Sequence, residues 1–232
     1  MSDSTIRREL GVLQAALNHG HSEMGLPQPT KLWKPTESPP LDRWLSEEEI
    51  AALLEVSPEH LRRFILISVF TGRRKGAVLG LRWEHGPSNG SIDFETNRVQ
   101  FIGDAENETS KRKGTILMPE QLRQHLLGWK EDGFASVVHY EGKPVKDIDT
   151  SFATACKKAN ISGVKPHVLK HTAVTHAFRK GMTLTDAVEF FATSSQTLEP
   201  TYRHHSPLYQ ENAAGLMTFD NPSFVANKVA AQ

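Results

Sequence analysis

The run Phe64-Ile65-Leu66-Ile67-Ser68-Val69-Phe70 is the longest apolar stretch of the chain, and it stops at Thr71-Gly72 in front of Arg73-Arg74-Lys75. Residues of this kind need burial on nearly every side, so they specify a helix inside a core. The glycine ends that helix, and the chain beyond it must turn while carrying charge. An arginine fixed at such a corner, Arg74 in particular, presents a planar guanidinium suited to two-pronged contact with a phosphate. By itself an arginine at a helix start is as a rule only solvated or salt-bridged.

Periodicity organises the rest. Ile6, Leu10, Leu13 and Leu17 recur at three- and four-residue steps and predict a helix over 5–24. Gly25-Leu26-Pro27-Gln28-Pro29, then Pro35, Pro39 and Pro40, predict an extended linker to about residue 44. One helix cannot bury its own apolar stripe. It is either the end of a further domain or an ordinary N-terminal helix docked on the main one. Ser46 with Glu49 three residues later forms a capping box that opens a helix through Glu55. Further helices are expected from Pro58 to Phe70 and over 74–81. The period then changes: 91–94, 98–102 and 115–118 read as three short strands of a small antiparallel sheet. Helices return over 120–129, 146–159, 167–180 and 185–192, with one or two shorter ones to Leu216, and the tail from Thr218 has no clear pattern. The fold class is α+β, mostly helical.

Composition narrows the function classes. No apolar stretch approaches the roughly 20 residues of a membrane span. No basic head with an apolar core marks the N-terminus as a secretory signal. The lone Cys156 excludes an internal disulfide framework and fits a reducing cytosol, so a cytoplasmic location is expected. The 27 basic and 27 acidic residues cancel, which counts against a simple electrostatic clamp on DNA. The basic residues are clustered, however, at 62–63, 73–75, 111–113 and 157–158, so a neutral total can hide one positive face.

Three further segments carry chemistry. His167, Lys170 and His171 lie at i, i+3 and i+4 after Pro166 and share one face of a helix's first turn, where free backbone N–H groups and the positive dipole end favour an anion. The two histidines could instead be half of a zinc site, but no glutamate follows His167 as a metalloprotease helix requires. Lys111, in a basic turn between two strands, can reach into a site and donate a proton to a leaving oxygen, or simply be solvated. Tyr202 lies beyond a Ser/Thr-rich approach and before Arg203-His204-His205; a tyrosine there is a nucleophile or ordinary amphipathic packing.

In this order the segments resemble the catalytic domain of tyrosine recombinases, the phage-integrase family, over roughly residues 45–210. The family's first box, Thr-Gly-x-Arg-x-x-Glu-x-Leu-x-Leu-x-Trp, is met by Thr71 through Trp83 except at Ala77, where the acid is lost. Ser110-Lys111 ahead of Leu117-Met118-Pro119 falls on the hairpin-lysine motif. His-x-Leu-Arg-His-Thr appears as His167-Val168-Leu169-Lys170-His171-Thr172. Phe191-Ala192-Thr193-Ser194-Ser195 stands where the family has Leu-Gly-His-Ser-Ser, and Tyr202 lands on the nucleophile.

The resemblance implies site-specific recombination of double-stranded DNA, without metal or cofactor, by a homotetramer on paired sites. It implies catalytic roles for Tyr202, Arg74, Lys111, His167 and Lys170, with His171 and Thr193 supporting. It divides the chain into 1–30, the last helix of a truncated core-binding domain; 31–44, a linker; 45–217, the catalytic domain; and 218–232, a tail. Lys170 in place of the second arginine keeps the charge but loses the planar grip. Thr193 and Ala77 replace two supporting groups. Slowed chemistry is the expectation, and the alternative is an impaired or inactive DNA-binding remnant.

Overall fold

The computed structural model describes residues 1–36, 43–101, 114–207, 209–211 and 214. Its contacts divide the chain into two compact units, residues 1–42 and 43–232.

In the first unit α1 (Asp3–Met24) begins at Ser2, whose side chain accepts from the Thr5 amide, and Asp3 complements the dipole in the first turn. The extended segment after it runs back along the helix. Leu32 N–H donates to Gln14 Oε1 at 2.6 Å, and Arg7 Nη1 donates to the Pro35 carbonyl at 2.8 Å. The apolar stripe stays open to solvent at Leu13 and Leu17.

The second unit starts with α2 (Glu47–Glu55), opened by the expected reciprocal cap between Ser46 and Glu49. α3 (Glu59–Thr71) carries the apolar run: Leu61, Phe64, Ile65 and Ile67 are fully buried. It ends at Gly72, which takes φ +60°, and a Cβ added there would lie 2.4 Å from the Phe191 ring. Both the turn and the close approach require glycine. The corner leads into α4 (Lys75–Leu79).

Here the structure departs from two expectations. The helix predicted over 74–81 is one turn long, and Leu81–Arg82 forms a strand, β1, whose main chain pairs with Gly90–Ser91 and also with residues 136–137. The sheet is therefore four-stranded and mixed, where three antiparallel strands were expected. β1 runs parallel to β2 (Gly90–Asp93), which is antiparallel to β3 (Arg98–Gln100), itself antiparallel to β4 (Thr115–Leu117). A two-residue strand has no alternation to read, and for the same reason the hairpin of β5 (His139–Tyr140) and β6 (Lys143–Pro144) escaped notice. The longer strands follow their pattern. Ile92, Val99 and Ile116 stand opposite one another in register and form one buried row, while Asp93 faces Arg98.

α5 (Glu120–Lys130) and α6 (Asp149–Lys158) close the main core around Leu122, Leu126 and Phe152. α7 (Val168–Arg179) is buried along most of its circumference. Val168 and Leu169 belong to the main core; Ala173, Val174 and Phe178 belong to a smaller second one with α8 (Leu184–Phe190) and α9 (Ser195–His205). Thr172 and His176 tie α7 to the start of the unit: the Leu45 amide donates to Thr172 Oγ1 at 3.0 Å, and its carbonyl lies 2.8 Å from His176 Nε2. The expected tail from Thr218 lies outside the described residues.

Candidate active site

Two turns of backbone build the site. One is the α3–α4 corner, held by Gly72 against Phe191. The other is the stretch Phe191-Ala192-Thr193 between α8 and α9, in which Ala192 adopts φ +46°. The first turn of α7 lies between them and points Lys170 inward.

Lys170 is 8% exposed. Its Nζ donates to Thr193 Oγ1 at 2.6 Å and more weakly to the Phe191 carbonyl at 3.4 Å; the Thr193 hydroxyl donates to that same carbonyl at 3.0 Å. Burial, then the Arg74 and Arg73 charges, pull the Lys170 ammonium down to about 8. Arg74 is half-buried at the N-cap of α4. Arg73, which the sequence offered only as part of a basic cluster, is 4% exposed, and its guanidinium lies over the Phe101 ring at 4.9 Å. Burial and the Arg74 charge bring it to about 10.

Three cations therefore converge, and among the described residues no carboxylate hydrogen-bonds to any of them. Asp147 and Asp149, the acids next to the corner, pair with Lys75 at 3.0 and 2.8 Å. The neutral composition thus hides a pocket that is positive and without a carboxylate partner among the described residues. Like charges held together out of water attract an anion strongly, because the low dielectric strengthens every interaction there.

His167 occupies the N-cap position of α7, its ring at 4.9 Å from and nearly perpendicular to the ring of His171. Partial burial first, then the charges of His171, Lys170 and Arg74, hold His167 below the ordinary histidine value. Among the described residues no group of three or more His, Cys, Asp or Glu side chains is arranged to hold a metal ion.

Tyr202 lies on α9, half-buried, with its ring edge-on to Phe178 at 5.1 Å. Phe178 is eight residues past Lys170 on α7, about 12 Å along the axis. Among the described residues, no hydrogen bond joins the Tyr202 hydroxyl to Arg74, Lys170 or His167. The corner, the start of α7 and Thr193 come together; the ring contacts of Tyr202 among the described residues are with Phe178 and Tyr209. Lys111 lies outside the described residues. Arg73 is the residue that sequence reasoning missed. Its only signal is a second basic residue directly after a buried helix's C-cap glycine, where the chain still faces inward.

The phage integrase family model matches residues 43–208, most of the chain. The chain belongs to the phage integrase family. The integrase of Salmonella phage P22 is 24% identical over 177 residues, covering 71% of this chain and 44% of that protein. A shufflon-specific DNA recombinase of Escherichia coli is 25% identical over 195 residues, covering 78% of this chain and 45% of that protein. The chain thus spans less than half the length of these two relatives. Among solved structures, the Tn1549 transposon integrase in complex with transposon right end DNA superposes with a TM-score of 0.69 at 18% identity, covering 93% of this chain and 79% of that one. That likeness establishes the fold. Among the described residues no helix is long and apolar enough to cross a membrane.

Proposed function

We propose that this chain is the catalytic portion of a site-specific DNA recombinase of the phage and prophage type. The observation that carries the reading is the pocket of three converging cations without a carboxylate partner, at the boxes by which the family is recognised. Membership of the family and the recombinase relatives support it.

In this reading Tyr202 Oη attacks the scissile phosphorus. The P–O5′ bond breaks as the P–O–tyrosine bond forms, leaving a 3′-phosphotyrosyl strand and a free 5′-hydroxyl. Arg74 and Lys170 neutralise the non-bridging oxygens, on which charge builds in the transition state. Neutral His167 takes the tyrosine proton, and Lys111 supplies a proton to the departing 5′ oxygen. His171 and Thr193 hold the first turn of α7 and the ammonium in place. Bond energy is stored in the phosphotyrosine, so reversal of the step by another 5′-hydroxyl completes strand exchange. The partner is double-stranded DNA, and the working form is a homotetramer on paired sites. For attack, the Tyr202 hydroxyl must reach the phosphorus that the cations hold.

A second reading, an impaired DNA-binding remnant, draws on two observations: Lys170 is a lysine where the family has an arginine, and among the described residues no hydrogen bond joins Tyr202 to Arg74 or Lys170. Covalent capture separates the two. The protein is incubated with nicked duplex DNA carrying the sequence that flanks its own gene, alongside Tyr202→Phe and Lys170→Arg. The recombinase reading predicts an SDS-resistant adduct that Tyr202→Phe abolishes. An adduct formed only by Lys170→Arg, or salt-sensitive binding without any adduct, would favour the remnant.

A further inference from the structure

Arg73 is a buried guanidinium without a hydrogen-bond partner among the described residues. This holds for Nε, Nη1 and Nη2, and all three are shut off from solvent. Among the described residues its one aromatic contact is the Phe101 ring. A charge in this condition is costly, because desolvation is offset by neither an ion pair nor hydrogen bonds. The position is not a loose end. Nη2 lies 3.7 Å from where a Gly114 Cβ would be, and that same point is 4.0 Å from the Ala192 Cβ, so the guanidinium is wedged between the ends of β3 and β4 and the turn that holds Lys170. Two other cations share its surroundings, so its neighbours aggravate the cost.

Such a residue is unfavourable in the free protein and becomes favourable when an anion enters beside it. We propose that Arg73 is a positioning residue for the phosphate site: its dry charge lies behind Lys170, is balanced only when a phosphodiester occupies the pocket, and supplies part of the charge neutralisation that a second-box arginine would give. Lys170 makes the contact, and Arg73 acts on the phosphate and on Lys170 through the low-dielectric interior without itself reaching solvent. The inference rests on the recombinase reading for the identity of the anion, but on geometry alone for the existence of the site.

Sulfate, a tetrahedral dianion whose charge is constant from pH 6 to 10, is the probe. Urea midpoints are measured for the wild-type chain, Arg73→Met and Arg73→Lys in chloride and in sulfate at equal ionic strength. The general salting effect of sulfate is common to all three. Arg73→Met is expected to raise the midpoint in chloride, because it removes an unpaired charge, and to lose the sulfate-specific increment; Arg73→Lys keeps that increment. Arg73→Gln serves as the neutral variant if Met does not fold. The pH dependence reads the action through Lys170, which faces Arg73 and Arg74 from the corner and His167 on its own helix. The wild-type sulfate increment should fall as pH rises through about 8, and in Arg73→Met the midpoint of any residual increment should move to higher pH. A purely structural arginine would lower the chloride midpoint when replaced and leave the sulfate increment unchanged, and that result overturns the proposal.

The adduct assay then separates the two levels. Arg73→Met should cut the capture rate on the order of 10- to 100-fold. Wild-type capture and sulfate response in Arg73→Met, with Tyr202→Phe inactive, would reject Arg73 and keep the recombinase. An Arg73-dependent sulfate response without any Tyr202-dependent adduct would keep the anion site and reject strand cleavage.

Discussion

Lys170 and Thr193, two of the positions at which the chain departs from its family's boxes, are bonded to each other: Nζ donates to Oγ1 at 2.6 Å. The departures are therefore coupled. A shorter cation has lost the reach of an arginine, and a small hydroxyl, itself donating to the Phe191 carbonyl, occupies the place of a larger ring and receives the ammonium. Thr193→Val should destabilise the protein by about 1–3 kcal/mol, because the ammonium keeps only the weaker bond to the Phe191 carbonyl. In Lys170→Met the same threonine change should cost much less. Urea denaturation of the four proteins in a double-mutant cycle gives the coupling; additive effects would contradict the pairing.

The same lysine sets a pH dependence. Its value falls from 10.5 in the unfolded chain to about 8 in the folded one, so between those two pH values the unfolded chain binds more protons. Stability from this group must then rise with pH across about 8 to 10.5, by on the order of 3 kcal/mol in total, and be flat below pH 8. Comparing urea midpoints of the wild type and Lys170→Met from pH 7 to 10 isolates the contribution. The variant should be the more stable at pH 7, and the gap should close as the pH rises.

Ala192 takes φ +46° where the family has glycine. A side chain in the left-handed region costs roughly 1 kcal/mol, which glycine avoids. Ala192→Gly should therefore stabilise the folded chain by about 0.5–1 kcal/mol, partly offset by the greater freedom of glycine in the unfolded state. Calorimetry or urea unfolding reads this directly.

Gly72→Ala should act in the opposite direction and more strongly, by about 2 kcal/mol or more, since it combines a positive φ with a Cβ 2.4 Å from the Phe191 ring. Phe191→Leu should recover part of the steric loss and none of the backbone cost.

Much of this arrangement was legible in the residues. The apolar run ending in Gly72 gave the corner, the Ser46 and Glu49 pair gave the start of α2, and the change of period gave the strands that became β2, β3 and β4. These are local signals, carried by periodicity and caps. What stayed hidden is tertiary. The pairing of Leu81–Arg82 with residues from two distant segments has no period to betray it. The burial of Arg73 depends on how β3, β4 and the Phe191–Thr193 turn close over it, and its sequence neighbourhood reads as an ordinary basic cluster. The seating of the Tyr202 ring edge-on to Phe178 was equally invisible, because motif order fixes which residues belong to one fold and not which side chains touch.

The central claim is that Tyr202 delivers its oxygen to a phosphate held by the Arg74 and Lys170 pocket. The most direct measurement is to trap the protein on the nicked duplex, digest the DNA with nuclease and the protein with protease, and weigh the peptides. The account predicts a nucleotide attached through its 3′-phosphate to the peptide containing Tyr202, together with a free 5′-hydroxyl on the released strand. A nucleotide on a different side chain, a 5′-phosphate link, or DNA bound with no covalent product would contradict it.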